Sequence, residues 1–249
     1  MSPSTVTVPE PQPKPLSQVE RVIGTFFAPS KTFIDLRRSA NWLAPLLLLI
    51  IASEALVFVA DRRVGFERIA ENGLALRPKA AAKLDQLSPE DRDKQMQMVT
   101  KFTALASYGS PVIVLVFLII IAAVLLATFN FGMGAELTFN QCIAVTMYAS
   151  LPSVIKTLLA ILALAIGAGG AFTFENPVAS NLSPLVDPSS HFLYSIAVQA
   201  DVFLIWTLVL AGIGFSCLTR IKRGTCMTVV FGWWVIWVLT LAGLSAAFA

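Results

Sequence analysis

Pro111-Val-Ile-Val-Leu-Val-Phe-Leu-Ile-Ile-Ile-Ala-Ala-Val-Leu-Leu-Ala-Thr-Phe129 contains no charged residue and almost no polar one. A helix crossing the roughly 30 Å hydrocarbon core needs about 20 apolar residues at about 1.5 Å each. This stretch meets that length, so it reads as a membrane span. Four further stretches pass the same test, Leu43 to Ala60, a segment within Asn140 to Ala168, Ser195 to Leu218, and Cys226 to Ala247. All five together hold only three charged residues, Glu54, Lys156 and Asp201. The expected fold is therefore an all-α, polytopic membrane protein with five spans, at about 43–60, 111–129, 145–168, 195–218 and 226–247.

Composition agrees with that assignment and excludes other classes. Apolar residues make up 56% of the 249 and charged residues 13%, against about 25% charged in soluble proteins. The net charge is +3 and the basic residues are interspersed with acids, so no stripe suited to nucleic acid is present. Cys142, Cys217 and Cys226 lack CxxC spacing, and His191 is the only histidine, so a four-ligand zinc site is not expected. No cofactor is implied. Met1 is followed by a polar, proline-rich stretch rather than a basic cluster and apolar core, so the first span is expected to serve as the insertion signal.

Outside the spans the pattern changes three times. Residues 1–15 hold five prolines and are expected to form a disordered tail. Within residues 16–41, Val19, Val22, Ile23, Phe26 and Phe27 recur at helical spacing and predict an amphipathic helix. Pro29 is expected to end it and Ser30 to cap a second short helix carrying Phe33, Ile34 and Leu36. Such a pair suits either the membrane surface, with Phe26, Phe27 and Phe33 dipped into headgroups and Lys31, Arg37 and Arg38 near anionic lipid, or the underside of the bundle. Between the first two spans, residues 61–103 hold nine Lys or Arg and seven Asp or Glu. Helical patterning there, with Ser88-Pro89-Glu90-Asp91 as a helix start, predicts an extramembrane helical hairpin.

Orientation rests on the short loops. With a cytoplasmic N-terminus, the inside count is eight basic residues and the outside count nine, so the tally alone is indecisive. Positive-inside bias acts mainly through short loops. Arg220, Lys222 and Arg223 lie in such a loop, which places the N-terminus inside and Ala249 outside.

The chemistry available in the spans is confined to few residues. Ionisable groups in hydrocarbon cost roughly 2.5–3.5 kcal/mol each on insertion scales and usually face the bundle interior. Glu54 and Asp201 each fall six residues from the outer end of their stretch, about 9 Å deep, and could share a proton or cation. Alternatively each is satisfied by a neighbouring hydroxyl or amide and fixes packing. Pro152 is expected to kink the third span. Depending on where that span begins, Lys156 either snorkels to the cytoplasmic face or lies near mid-membrane, where a pair with Glu54 or Asp201 would need about 9 Å of vertical reach. Gly214-Phe215-Ser216-Cys217 offers a serine but no base, since His191 lies on the opposite side. Small residues four apart, as at Gly212 and Ser216 or Ala123 and Ala127, suit close helix packing and homo- or hetero-oligomer contacts.

Phe26-Phe27-Ala28-Pro29-Ser30-Lys31-Thr32-Phe33 ahead of Trp42 and Pro45 resembles the opening signature of the Yip family, the Ypt/Rab-interacting multi-pass membrane proteins. Tyr148-Ala149-Ser150-Leu151-Pro152 is similar to its third-span pattern, and Asp201-Val202-Phe203-Leu204-Ile205-Trp206 to the fourth-span pattern of bacterial members. The resemblance covers about Leu16 to Ala247. It implies five spans, a cytoplasmic N-terminus and, for a bacterial-type member, the inner membrane. Eukaryotic relatives are linked to vesicle trafficking and Rab GTPases. The expected function is non-enzymatic membrane organisation or partner binding, and the rival is a small ion-coupled transporter using Glu54 and Asp201.

Overall fold

The computed structural model describes residues 14–248, and no strand occurs among them. Two short helices open the chain, α1 (Gln18–Phe27) and α2 (Pro29–Asp35). Next comes α3 (Leu43–Arg63), then α4 (Phe66–Ala75), α5 (Pro78–Asp85), α6 (Pro89–Tyr108) and α7 (Ser110–Met133). They are followed by α8 (Phe139–Ala149), α9 (Pro152–Ala165), α10 (His191–Gln199), α11 (Val202–Leu218) and α12 (Arg223–Phe248). Of the proline-rich tail, residues 1–13 lie outside the described residues, as does Ala249.

Four segments are long and apolar enough to cross a membrane, Leu43–Arg63, Ser110–Met133, Phe139–Ala165 and Arg223–Ala246. The fifth is a pair, His191–Gln199 and Val202–Leu218, bent by 56° at Ala200 and Asp201. The protein is thus a polytopic helical membrane protein with four to five spans. The continuous helix expected from Ser195 to Leu218 is replaced by this bent pair, because Asp201 leaves helical geometry to cap α11. In the connection between the first two spans α4 and α6 pack against each other, with the short α5 between them, since Pro78 and Pro89 each start a new helix.

Burial separates the spans by role. Only 17% of the apolar window of α7 is buried, and Val112, Ile113, Val116 and Ile120 face outward, as expected of a helix solvated by lipid. In contrast, every residue from Cys142 to Ala149 of α8 is buried. Around α8 the main core gathers Phe33 of α2 and Leu36 just after it, Phe129 of α7 and Phe215 of α11, with the last two rings stacked at 4.7 Å. Pro152 then interrupts the backbone ladder, having no N–H to donate. Ser150, Ser153 and Thr157 bend their hydroxyls back to the carbonyls of Thr146, Ser150 and Ser153 around this break.

Polar side chains fix the ends of the bundle. The Trp42 indole donates to Asn140 Oδ1 at 2.9 Å, and Asn140 donates to the Ala40 carbonyl at 3.0 Å, tying the start of α3 to that of α8. Trp233 donates to Thr128 at 3.0 Å while Trp237 lies 5.2 Å from Phe117, joining α12 to α7. Gly212 admits Met227 of α12, whose Sδ would lie 2.3 Å from an added Cβ. Ala123 and Ala127 face outward and take no part in the intrachain core.

Gly214 holds the tightest junction between α2, α8 and α11. A Cβ there would lie 2.6 Å from Val145 Cγ1 and 3.1 Å from the Phe33 ring. Gly214→Val is therefore expected to cost about 1–3 kcal/mol through overpacking. Thermal unfolding in detergent checks this, and an unchanged midpoint would refute the described junction.

Candidate functional site

The N-terminal helices form one unit before they meet the bundle. Ser17 caps α1 with its hydroxyl on the Glu20 N–H, and Glu20 returns a bond to the Ser17 N–H at 2.7 Å. These bonds, the backbone one foremost, hold the Glu20 carboxyl below its ordinary range. Pro29 occupies the first turn of α2 rather than simply ending α1, and no side chain caps α2. Ser30, expected as that cap, instead accepts a hydrogen bond from Arg223 at 3.2 Å. A residue at the first turn forgoes nothing by lacking an N–H, so proline itself serves as the helix start.

Between the two helices lies a buried ion pair that the sequence did not announce. Arg21 and Asp35 approach to 2.8 Å with side-chain exposures of 3% and 8%. Arg21 also donates to the Ser39 carbonyl at 2.9 Å, and the Leu16 N–H reaches the same Asp35 oxygen at 3.3 Å. Gly24 permits the approach, for an added Cβ would stand 2.6 Å from Thr32 Oγ1. Tyr148 of the buried α8 donates to Gln18 at 2.9 Å, anchoring α1 to the bundle. The only local hint was the small pair Gly24-Thr25 just after Arg21, and sequence periodicity treats Arg21 as part of a solvated face.

This anchoring sorts the residues expected at the membrane surface. Phe33 is fully buried in the core, so it is not a surface contact; the partner helices α8 and α11 offer it a complete apolar socket. Phe26 is half-buried and meets Trp206 edge to face at 5.6 Å. Phe27 is 85% exposed, and Val19 and Ile23, at four-residue spacing, are 67% and 53% exposed. Lys31, Arg37 and Arg38 lie exposed on and just after α2. The outer face of α1 is thus an apolar strip held in place from behind.

The intramembrane charges take a different arrangement from two carboxyls sharing a layer. Lys156 donates to Asp201 Oδ2 at 2.9 Å, with exposures of 20% and 5%. The hydroxyl of Ser180, from the loop between α9 and α10, donates to the same oxygen. Asp201 Oδ1 accepts from the N–H groups of Phe203 and Leu204 at 2.9 and 3.1 Å, capping α11. The vertical gap expected between Lys156 and Asp201 does not exist, because the chain breaks at Ala200 and Asp201 and brings the carboxylate to α9. Loop residue Ser180 carries no motif, so nothing local in the sequence pointed to it.

Glu54 stands apart from this cluster. No hydrogen bond or ion pair joins it to Asp201, and its Oε1 is buried with no partner among the described residues. Helix α9 packs against both α3 and α11, and so does α8. Each Asp201 oxygen already accepts two hydrogen bonds, which leaves that carboxylate little capacity for a transported cation. The cluster is built as a fastener between α9, α11 and the loop.

A bundle of four to five apolar helices, with a docked N-terminal helix pair and Lys156 paired with Asp201 among its few intramembrane charges, defines an integral, multi-pass α-helical membrane protein. The profile of the Yip1 domain matches residues 23–245, and the chain belongs to that family. No curated protein sequence and no solved structure gives a match.

Proposed function

We propose that the protein is a non-enzymatic membrane scaffold that binds a partner protein through the outer face of α1. The observation that carries this reading is the exposed strip Val19, Ile23 and Phe27 on a helix whose other side is locked by Arg21, Asp35 and Gln18. A rigid apolar helix face presents i, i+4 and i+8 anchors without an ordering cost on binding. Lipid headgroups are a poorer occupant for α1, because helices lying in the interface carry Lys and Arg on their polar face. The single arginine of α1 is buried in its ion pair, and the exposed charge of α1 itself is Glu20, with Lys14 and Lys31 of the flanking segments close enough to act on it.

The N-terminus is placed on the cytoplasmic side in this reading. Support comes from the contact between Arg223 and Ser30, which puts the short basic loop on the same side as the N-terminal helices. A bacterial inner membrane fits the family resemblance of the fourth-span pattern. The rival transporter reading draws little support from the geometry, since Asp201 is saturated and Glu54 is remote from it in bonding.

Val19→Glu with Phe27→Glu places charge on the strip without touching the core. In cross-linking recovery from native membranes, we expect the partner to fall to background while the thermal midpoint stays unchanged. Full partner recovery by this folded variant would overturn the proposal.

A further inference from the structure

The end of α3, the start of α4 and the turn following α9 border an open, shallow cavity of about 410 Å³, lined by Arg63, Val64, Arg68, Leu164, Gly169 and Gly170 among others. That volume is within the roughly 300–1,000 Å³ typical of ligand pockets. Its lining is divided by chemistry. Leu164 belongs to an apolar cluster with Leu56, Ala60 and Ala160, and Val64 packs against the same cluster, so the floor continues into the interior between α3 and α9. The rim carries two guanidinium groups.

Nearby arginines are occupied, but these two are not. Arg62 lies over the Phe58 ring at 5.3 Å, Arg77 pairs with Glu175, and Arg92 lies 3.4 Å from Asp85. Arg63 and Arg68 take part in no ion pair or side-chain hydrogen bond among the described residues, although the acids Asp61, Glu67 and Glu71 are close in sequence. The walls around them are held in place. Asn72 of α4 donates to the Gly170 carbonyl at 3.2 Å and to that of Phe172 at 3.0 Å. Gly169 sits directly on the end of α3, since an added Cβ would lie 2.9 Å from Val64 Cγ2.

We propose that this cavity binds the phosphate group of an anionic lipid. Guanidinium forks match phosphate oxygens, and two of them at one rim would supply charge-assisted bonds that no internal carboxylate competes for. The location agrees with that ligand, because α3 ends here after a membrane-crossing stretch and headgroups lie at span ends. The apolar floor beneath the arginines, formed by Val64 and Leu164, continues from that stretch and offers a surface for an acyl chain. A free phosphate would use the arginines and leave the apolar floor of Val64 and Leu164 without a role. The site lies at the C-terminal end of α3, whereas the strip on α1 accompanies its N-terminal end, so this inference does not depend on the scaffold reading.

The test uses the full chain in detergent and native mass spectrometry, with phosphatidylglycerol and phosphatidylcholine as probes. We expect phosphatidylglycerol to be retained preferentially, and its occupancy to fall about tenfold or more in R63Q/R68Q, since each basic residue near a surface favours anionic lipid several-fold. R63K/R68K should fall in between, keeping charge but losing the fork. G169V keeps both charges and narrows the cavity, and should also lose lipid. Displacement of phosphatidylglycerol by excess inorganic phosphate would show that a free anion is the ligand and overturn the lipid assignment. Equal retention by wild type and R63Q/R68Q would overturn the site itself. Both arginines are exposed and unpaired, so an unchanged thermal midpoint is expected for R63Q/R68Q; should the double variant fail to fold, the single variants R63Q and R68Q decide by the same readout.

Discussion

Asp35→Ala is expected to destabilise the protein by about 3–5 kcal/mol, the usual cost of leaving one partner of a buried ion pair uncompensated. Arg21 would keep only the Ser39 carbonyl, in a site where its side chain is 3% exposed. The Leu16 N–H would lose its acceptor as well. Because α2 carries Phe33 into the core, loosening of the pair should reach α8 and α11 rather than remain local. Thermal unfolding and limited proteolysis of residues 16–38 would measure both effects. Replacing the pair by apolar residues, as in R21M/D35L, should recover most of the loss, since well-packed hydrophobic substitutes are often neutral. If D35A unfolds at the wild-type midpoint, the buried pair is not what holds α1 to α2.

Lys156→Met is expected to cost about 2–3 kcal/mol, somewhat less than a fully buried pair because the lysine side chain is 20% exposed. It would leave the Asp201 carboxylate, 5% exposed, with the Ser180 hydroxyl and two backbone amides. Asp201→Ala should cost about 1 kcal/mol more than Lys156→Met, because it also removes the N-cap of α11. Glu54→Gln should leave stability unchanged or raise it, as the buried Oε1 has no partner to lose and the substitution removes an uncompensated charge. Denaturant titration in mixed micelles would rank the three. A ranking with Glu54→Gln as costly as Lys156→Met would revive a coupled carboxyl site.

The two predictions mark where sequence patterns stop carrying information. The span at Pro111 to Phe129 was legible because lipid solvation needs only a long uncharged run, and the broken third span because proline acts through its own missing N–H. The bend at Asp201 was not legible, since it depends on Lys156 and Ser180 arriving from distant segments. Phe33 has the composition of an interfacial aromatic, and only the tertiary socket beside Gly214 takes it inside. Arg21 reads as solvated until α2 folds back with Asp35. Matched depth of Glu54 and Asp201 assumed straight, parallel spans, an assumption that the 56° bend removes.

The docked state of α1 and α2 also changes how their function must be probed. Deleting residues 16–38 would remove Phe33 and Leu36 from the core along with the exposed strip, so lost partner binding would report unfolding. Substitutions confined to Val19, Ile23 and Phe27 separate the two effects, because these side chains are more than half exposed.

The most direct measurement is photocross-linking from a reactive residue placed at Phe27 in the full chain, in native membranes. The account predicts a discrete protein adduct that disappears when Val19→Glu is added, with the fold retained. Adducts only to lipid, or protein adducts indifferent to Val19→Glu, would contradict the claim that this face of α1 is a protein-binding surface.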